Sequence, residues 1–254
     1  MSSAAVLDGR DIAVGSEAAG RAWIGRSGGR SLINVACQTA FHRLLAVGDL
    51  VSHEEQIVDV SGLKQTRLGP GHVVRTRTSY FDQHEHLATV TEHVLLRFDA
   101  VGGAGGEPAA PDPAATGPAG AEILPPVRLH VDHRRVCQNA AATWDWFPGH
   151  HDPGYARAQG QPTIYVSTLF FQGLVDRLIT DWAGPGAFIR SRDIRISGSL
   201  CAGQDAVVTG WVRDRRAADE HDVVDVDAQV SGPDGVCVHA ALSVEIPHEE
   251  DTEL

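Results

Sequence analysis

At 254 residues the chain is long enough for one large domain or two small ones, and 43% hydrophobic with 21% charged residues is the balance of a soluble globular protein. A formal net charge of −12 argues against a nucleic-acid surface or an anionic membrane as partner. It leaves an anionic small ligand open, because arginine can be concentrated locally; Lys64 is the only lysine and the other twenty basic residues are Arg.

The first residues contain no charged-then-apolar leader, and no run of 18 or more apolar residues occurs, so a cytoplasmic protein is expected. Cys37, Cys137, Cys201 and Cys237 are far apart and form no Cys-x-x-Cys. In a reducing compartment they are expected as buried small hydrophobes rather than disulfide partners.

Residues 1–20 are small and polar and read as a loose arm. Leu32-Ile33-Asn34-Val35-Ala36-Cys37 is a short strand or about one and a half helical turns. From Leu50 the pattern turns to β. Residues 51–60 are β-branched towards their end, Gly62 breaks them, and Gly69-Pro70-Gly71 punctuates again. Residues 73–80 alternate, with Arg75 and Arg77 on one face and Val74, Thr76 and Thr78 on the other. Gln83-His84-Glu85-His86 is a polar turn, and residues 87–98 are a further strand. His84, His86 and His93 lack a carboxylate or thiol at ligand spacing, so no metal site is expected there. Residues 102–121 are Gly, Ala and Pro with two acids; they cannot bury enough area to offset ordering, and read as a flexible linker.

In the second half, residues 127–131 are a strand, and residues 132–142 become helical with Val136 and Ala140 on one face. Residues 153–158 make a short helix capped by Asp152, with Pro153 at its first position. Residues 164–182 are the longest helical candidate, apolar on most of its circumference and therefore buried; Ser167 or Thr168 can cap it, and Gly184-Pro185-Gly186 stops it. Strands follow over residues 188–199, 206–213, 223–230 and 236–246, the last two joined by a Gly232-Pro233-Asp234-Gly235 turn. The halves repeat one another: Ala46-Val47-Gly48-Asp49-Leu50-Val51 corresponds to Ala202-Gly203-Gln204-Asp205-Ala206-Val207. A strand, a buried helix and an antiparallel sheet make an α+β arrangement.

Between the second half's two short helices lies Trp144-Asp145-Trp146-Phe147-Pro148-Gly149-His150-His151-Asp152-Pro153. Asp145 and His150 can both move protons near neutral pH. The spacing alone is uninformative, since 21 Asp and 13 His supply about one Asp-x4-His by chance. Its surroundings, with Pro148, Asp152-Pro153 and Ala156 followed by a long apolar run, resemble the Gly-Asp-x-Asn-Pro-x-His-x-Asp-Pro motif of the MaoC-like (R)-specific enoyl-CoA hydratases and 3-hydroxyacyl-thioester dehydratases. The two halves resemble that family's double-hotdog form, including Arg67-Leu68-Gly69 and residues 91–98 in the first.

The resemblance implies two antiparallel sheet-around-helix units. Residues 1–101 would be an N-terminal, shortened, non-catalytic hotdog unit that shapes the substrate pocket. Residues 102–121 would be the linker, and 122–254 the hotdog unit bearing the motif. It implies reversible dehydration of a 3-hydroxyacyl thioester, or hydration of an enoyl thioester, by Asp145 and His150 as acid and base, on coenzyme A or acyl carrier protein, with no metal or redox cofactor. It places Ser167, Thr168, Phe147 and Tyr165 at the substrate, with the Ser167 N–H polarising the thioester carbonyl. Arg190, Arg192 and Arg195 meet a carrier phosphate or line a solvated strand edge. A homodimer, or a hetero-oligomer with another hotdog protein, is the expected assembly. Two positions depart from the motif: Trp144 stands where Gly is usual and Phe147 where Asn is usual, which fits a bulky, ring-bearing acyl group or lost activity. A hotdog thioesterase and a non-catalytic subunit or ligand-binding module are the alternatives.

Overall fold

The computed structural model describes residues 31–66, 68–98 and 117–248. The arm expected over residues 1–20, residues 102–116 of the expected linker, and Arg67 lie outside the described residues. The chain divides into two compact units, Met1–Ala104 and Gly105–Leu254.

The first unit contains β1 (Ser31–Phe41), β2 (Ser52–Val60), β3 (Lys64–Thr66), β4 (Gly69–Phe81) and β5 (Leu87–Phe98). They pair antiparallel in the order β2-β4-β5-β1, with β3 on β4. Alternation sets the faces of β4, with Arg75 and Arg77 exposed and Val74, Thr76 and Thr78 buried. Arg77 donates to its cross-strand partner Glu92 at 2.7 Å. The buried face is unusually polar. Register puts Thr39, Thr91 and Thr78 in one row and Cys37, His93 and Thr76 in the next. The Asn34 amide donates to His93 Nδ1 at 2.8 Å. Burial holds that imidazole below its ordinary value, against the pull of Glu55. Among the described residues of this unit there is no helix.

Between β1 and β2 the chain carries an apolar loop on a polar anchor. Arg43 bonds Asp82 at 2.6 Å and Asp49 at 3.1 Å, and Gln83 accepts the Leu50 N–H at 3.0 Å. Leu44, Leu45, Val47 and Leu50 are thereby held exposed.

The second unit contains β6 (Val127–Val131), α1 (His133–Thr143), a 3-10 turn (Pro148–His150), α2 (Pro153–Ala158), α3 (Thr168–Ala183), β7 (Phe188–Ile196), β8 (Gln204–Ala217), β9 (His221–Gly232) and β10 (Gly235–Pro247). The strand order is β7-β10-β9-β8-β6, antiparallel throughout. α3 lies on this sheet against β6, β8, β9 and β10 and buries Phe171, Leu174, Val175, Leu178 and Ile179. Each such side chain contributes about 1.5–3 kcal/mol on leaving water. The helix can come this close because small residues lie beneath it. Register aligns Gly210, Ala228 and Ala240, and a Cβ on Gly210 would stand 2.8 Å from Leu178 Cδ2.

Three cysteines, Cys37, Cys201 and Cys237, are buried, but Cys137 is exposed on α1, contrary to expectation, because it lies off the Val136–Ala140 stripe. Burial pushes the Cys201 and Cys237 thiols up to about 11. No helix among the described residues is long and apolar enough to cross a membrane.

Candidate active site

α1 begins on an Asp132 cap, whose carboxylate accepts the Arg135 N–H at 2.7 Å. It ends at Trp144, whose backbone is left-handed at φ 55° and ψ 23°, with its N–H turned back to the Ala140 and Ala141 carbonyls. Glycine adopts this conformation freely and tryptophan does not. The residue that departs from the family motif thus sits where the motif's usual glycine would fit the backbone. The Asp145 N–H also bonds Ala140 O, at 3.1 Å, so the helix end sets the position of the carboxylate. Pro148 and Gly149 form the 3-10 turn that brings His150 round, and Asp152 caps α2 by accepting the N–H groups of Gly154 and Tyr155.

The turn places His150 Nε2 3.6 Å from Asp145 Oδ2. This is ion-pair range but longer than a hydrogen bond. His150 is 7% exposed, and its Nδ1–H donates to the Tyr165 carbonyl at 2.8 Å. That bond leaves Nε2, facing Asp145, as the nitrogen with the lone pair. Burial pulls the imidazole below its ordinary value; Asp145 and the Tyr165 carbonyl pull the other way, and His151 adds to the lowering. Burial thus favours the neutral imidazole.

Aromatic rings pack against His150. Phe147 lies 5.5 Å from His150 and edge-on to Tyr155, and the Tyr165 ring stands edge-on to His150 at 5.2 Å. Trp144 and Trp146, 63% and 52% exposed, pack edge to face beside Asp145. His151 donates from Nε2 to the Trp146 carbonyl at 3.1 Å.

The chain entering α3 is docked on this turn, with the Tyr165 N–H on Gly149 O at 3.1 Å. Ser167 is the N-cap, buried, its hydroxyl accepting the Phe170 N–H at 3.3 Å. The same hydroxyl donates to Asn139 Oδ1 at 2.8 Å. Thr168 opens the helix, where the first N–H groups have no intrahelical acceptor. Asn139 has no counterpart in the sequence reading; its only signal there is a polar side chain beside the apolar stripe of α1. Arg190 and Arg192 are engaged with Glu245 and Asp176, and Arg195 is exposed on β7.

A buried helix laid on an antiparallel sheet, preceded in the chain by a second antiparallel unit, defines the class as double hotdog. Solved structures of like fold agree. A MaoC-like dehydratase superposes with a TM-score of 0.70 at 14% identity, over 88% of this chain and 78% of the other. A Mycobacterium tuberculosis protein described as a double hotdog, Rv0216, superposes with a TM-score of 0.60 at 17% identity, over 90% and 78%. No family model matches the chain. Among curated proteins, the 3-oxo-4,17-pregnadiene-20-carboxyl-CoA hydratase beta subunit of M. tuberculosis is 36% identical over 111 residues, which are 39% of this chain and 86% of the relative. A probable enoyl-CoA hydratase alpha subunit of Thermomonospora curvata is 34% identical over 77 residues, 30% of this chain and 24% of that protein. The chain belongs to the MaoC-like hydratase and dehydratase family, in its double-hotdog form.

Proposed function

We propose that the protein adds water reversibly across the double bond of an enoyl-CoA thioester at Asp145 and His150. The observation that carries this reading is the 3.6 Å approach of His150 Nε2 to Asp145 Oδ2 next to the start of α3. In the hydration direction, water held between the two side chains attacks the β-carbon as His150 Nε2 takes its proton. Electron density moves to the thioester oxygen, which the free N–H groups at the start of α3, Ser167 and Thr168 among them, stabilise. The proton then passes to the α-carbon, completing the addition. Dehydration is the reverse.

The substrate class under this reading is a ring-bearing acyl-CoA. Its support is the Phe147 and Tyr165 rings packed against His150, together with the steroid-derived substrate in the name of the mycobacterial relative. The protein acts as one subunit of a hetero-oligomer with another hotdog protein. Both curated relatives are named as subunits, and the exposed Leu44, Leu45, Val47 and Leu50 loop offers an apolar contact held rigid by Arg43 and Asp49.

The test follows the loss of conjugated-enoyl absorbance with a ring-bearing enoyl-CoA, for wild type, Asp145→Asn and His150→Ala. Loss of at least about a hundredfold in kcat is expected for each. Wild-type rates in both variants would remove the reading. Release of free thiol without hydration would assign a thioesterase instead.

A further inference from the structure

We infer that Asn139 is a positioning residue for the proposed hydratase site, holding the start of α3 in register with Asp145. The inference rests on the reading of the site given above and adds a residue that the motif does not contain.

Two adjacent residues of α1 hold the two halves of the site. The Ala140 carbonyl accepts the Asp145 N–H at 3.1 Å, which places the carboxylate at the end of α1. The Asn139 side chain, one position earlier, accepts the Ser167 hydroxyl at 2.8 Å across 28 residues of chain. The Ser167 oxygen also accepts the Phe170 N–H, so the hydroxyl is held from both sides. Asn139 is itself seated in regular helix, where its carbonyl accepts the Thr143 hydroxyl at 2.8 Å. α1 is thus a short rigid bar with Asp145 at its end and the α3 cap hung from its side.

The chemical consequence follows from where charge develops. The thioester oxygen becomes negative only as the reaction proceeds, so donors at the α3 start act on the transition state when they are already aimed. If Asn139 releases Ser167, the cap still closes on Phe170, but the end of α3 is no longer tied to the bar that carries Asp145. Binding of the bulk of the substrate is unaffected, while the alignment of water, β-carbon and oxygen donors is degraded. A displacement near 1 Å is enough to cost up to about a hundredfold.

The test uses the full-length chain with Asn139→Leu, which keeps size and loses the acceptor. Asn139→Ala is the second variant should leucine disturb folding at this half-exposed position. Ser167→Ala and the double substitution close the cycle. Two readouts are taken with a 3-arylacryloyl-CoA: kcat and KM for hydration, and the red shift of the bound chromophore, which reports polarisation of its carbonyl. Removal of Asn139 is expected to lower kcat about tenfold, change KM by less than about twofold, and shrink the red shift. Added to Ser167→Ala, it should cost less than about a further twofold, because the two act through one bond. Unchanged kcat and red shift with only a lower melting temperature would make Asn139 merely structural and overturn the inference. Full additivity in the cycle would also overturn it. Asp145→Asn, run alongside, separates the two failures. If it abolishes turnover while Asn139→Leu does not, the inference alone falls; if it leaves turnover intact, the site itself is misplaced.

Discussion

Gly149→Ala is the substitution whose effect the coordinates define most sharply. A Cβ at this position would lie 2.5 Å from the Tyr165 hydroxyl, 2.6 Å from Cζ and 2.8 Å from Cε1. Ordinary contact begins near 3.5 Å, so the phenol ring must retreat by about 1 Å, and overpacking of this order costs about 1–3 kcal/mol. The ring cannot retreat alone. It stands edge-on to His150, and its own residue supplies both the carbonyl that accepts His150 Nδ1–H and the N–H that bonds Gly149 O. The extra methyl group therefore pushes on the residue that fixes the imidazole. At about 2 kcal/mol the melting temperature of a chain this size falls by roughly 4–8 °C, and hydration kcat should fall about tenfold or more with KM little changed. Differential scanning fluorimetry and initial rates measure both. Tyr165→Leu makes room for the methyl, so the double variant should be less destabilised than the sum of the singles by about 1 kcal/mol. Wild-type stability and kcat in Gly149→Ala would refute the reasoning.

The pH dependence of kcat/KM should have its acid limb below 6.5, because burial lowers the His150 imidazole and keeps Nε2 unprotonated to lower pH; a limb above 6.5 would contradict it. The sign for stability follows: above pH 6.5 the imidazole is neutral both folded and unfolded, and below it the unfolded chain takes up the proton first, so the His150 contribution declines as pH falls. His150→Phe should flatten that part of the denaturation profile. Arg192→Met leaves the Asp176 carboxylate without its α3-to-β7 partner and should cost about 2 kcal/mol in urea unfolding. Adding Asp176→Leu should recover part of that loss. Asp152→Ala frees the Gly154 and Tyr155 N–H groups at the start of α2 and should cost about 1 kcal/mol.

Much of the local structure was legible in the residues. The Asp152-Pro153 start of α2, the Val136 and Ala140 stripe of α1, the alternation along β4 and the turn before Gly235 all lie where pattern and capping place them. Two of the misses come from partners distant in the chain, and one from shortness. The apolar pattern starts the long helix at Ile164, yet α3 begins at Thr168 behind the Ser167 cap, because the Ile164 and Tyr165 carbonyls, which a longer helix would need as acceptors, are taken by the Ala202 N–H and the His150 Nδ1–H. β8 runs on to Ala217, past the expected end at Arg213. Its arginines 213, 215 and 216 are neutralised by Asp227, Asp222 and Asp225 on the neighbouring strand, a pairing invisible in β8 itself. β3, three residues long, carries too little pattern to be read.

The residues by themselves determined most of the helices and strands, though not β1 or β3, and that a carboxylate and an imidazole stand five positions apart around a Pro-Gly turn. Caps, periodicity and turn chemistry act within a few residues and leave their mark in local sequence. Only the tertiary structure decided which imidazole nitrogen faces Asp145, since that choice is made by the Tyr165 carbonyl. It alone placed Asn139 against Ser167, because a hydrogen bond across 28 residues exists only once α1 and α3 have packed.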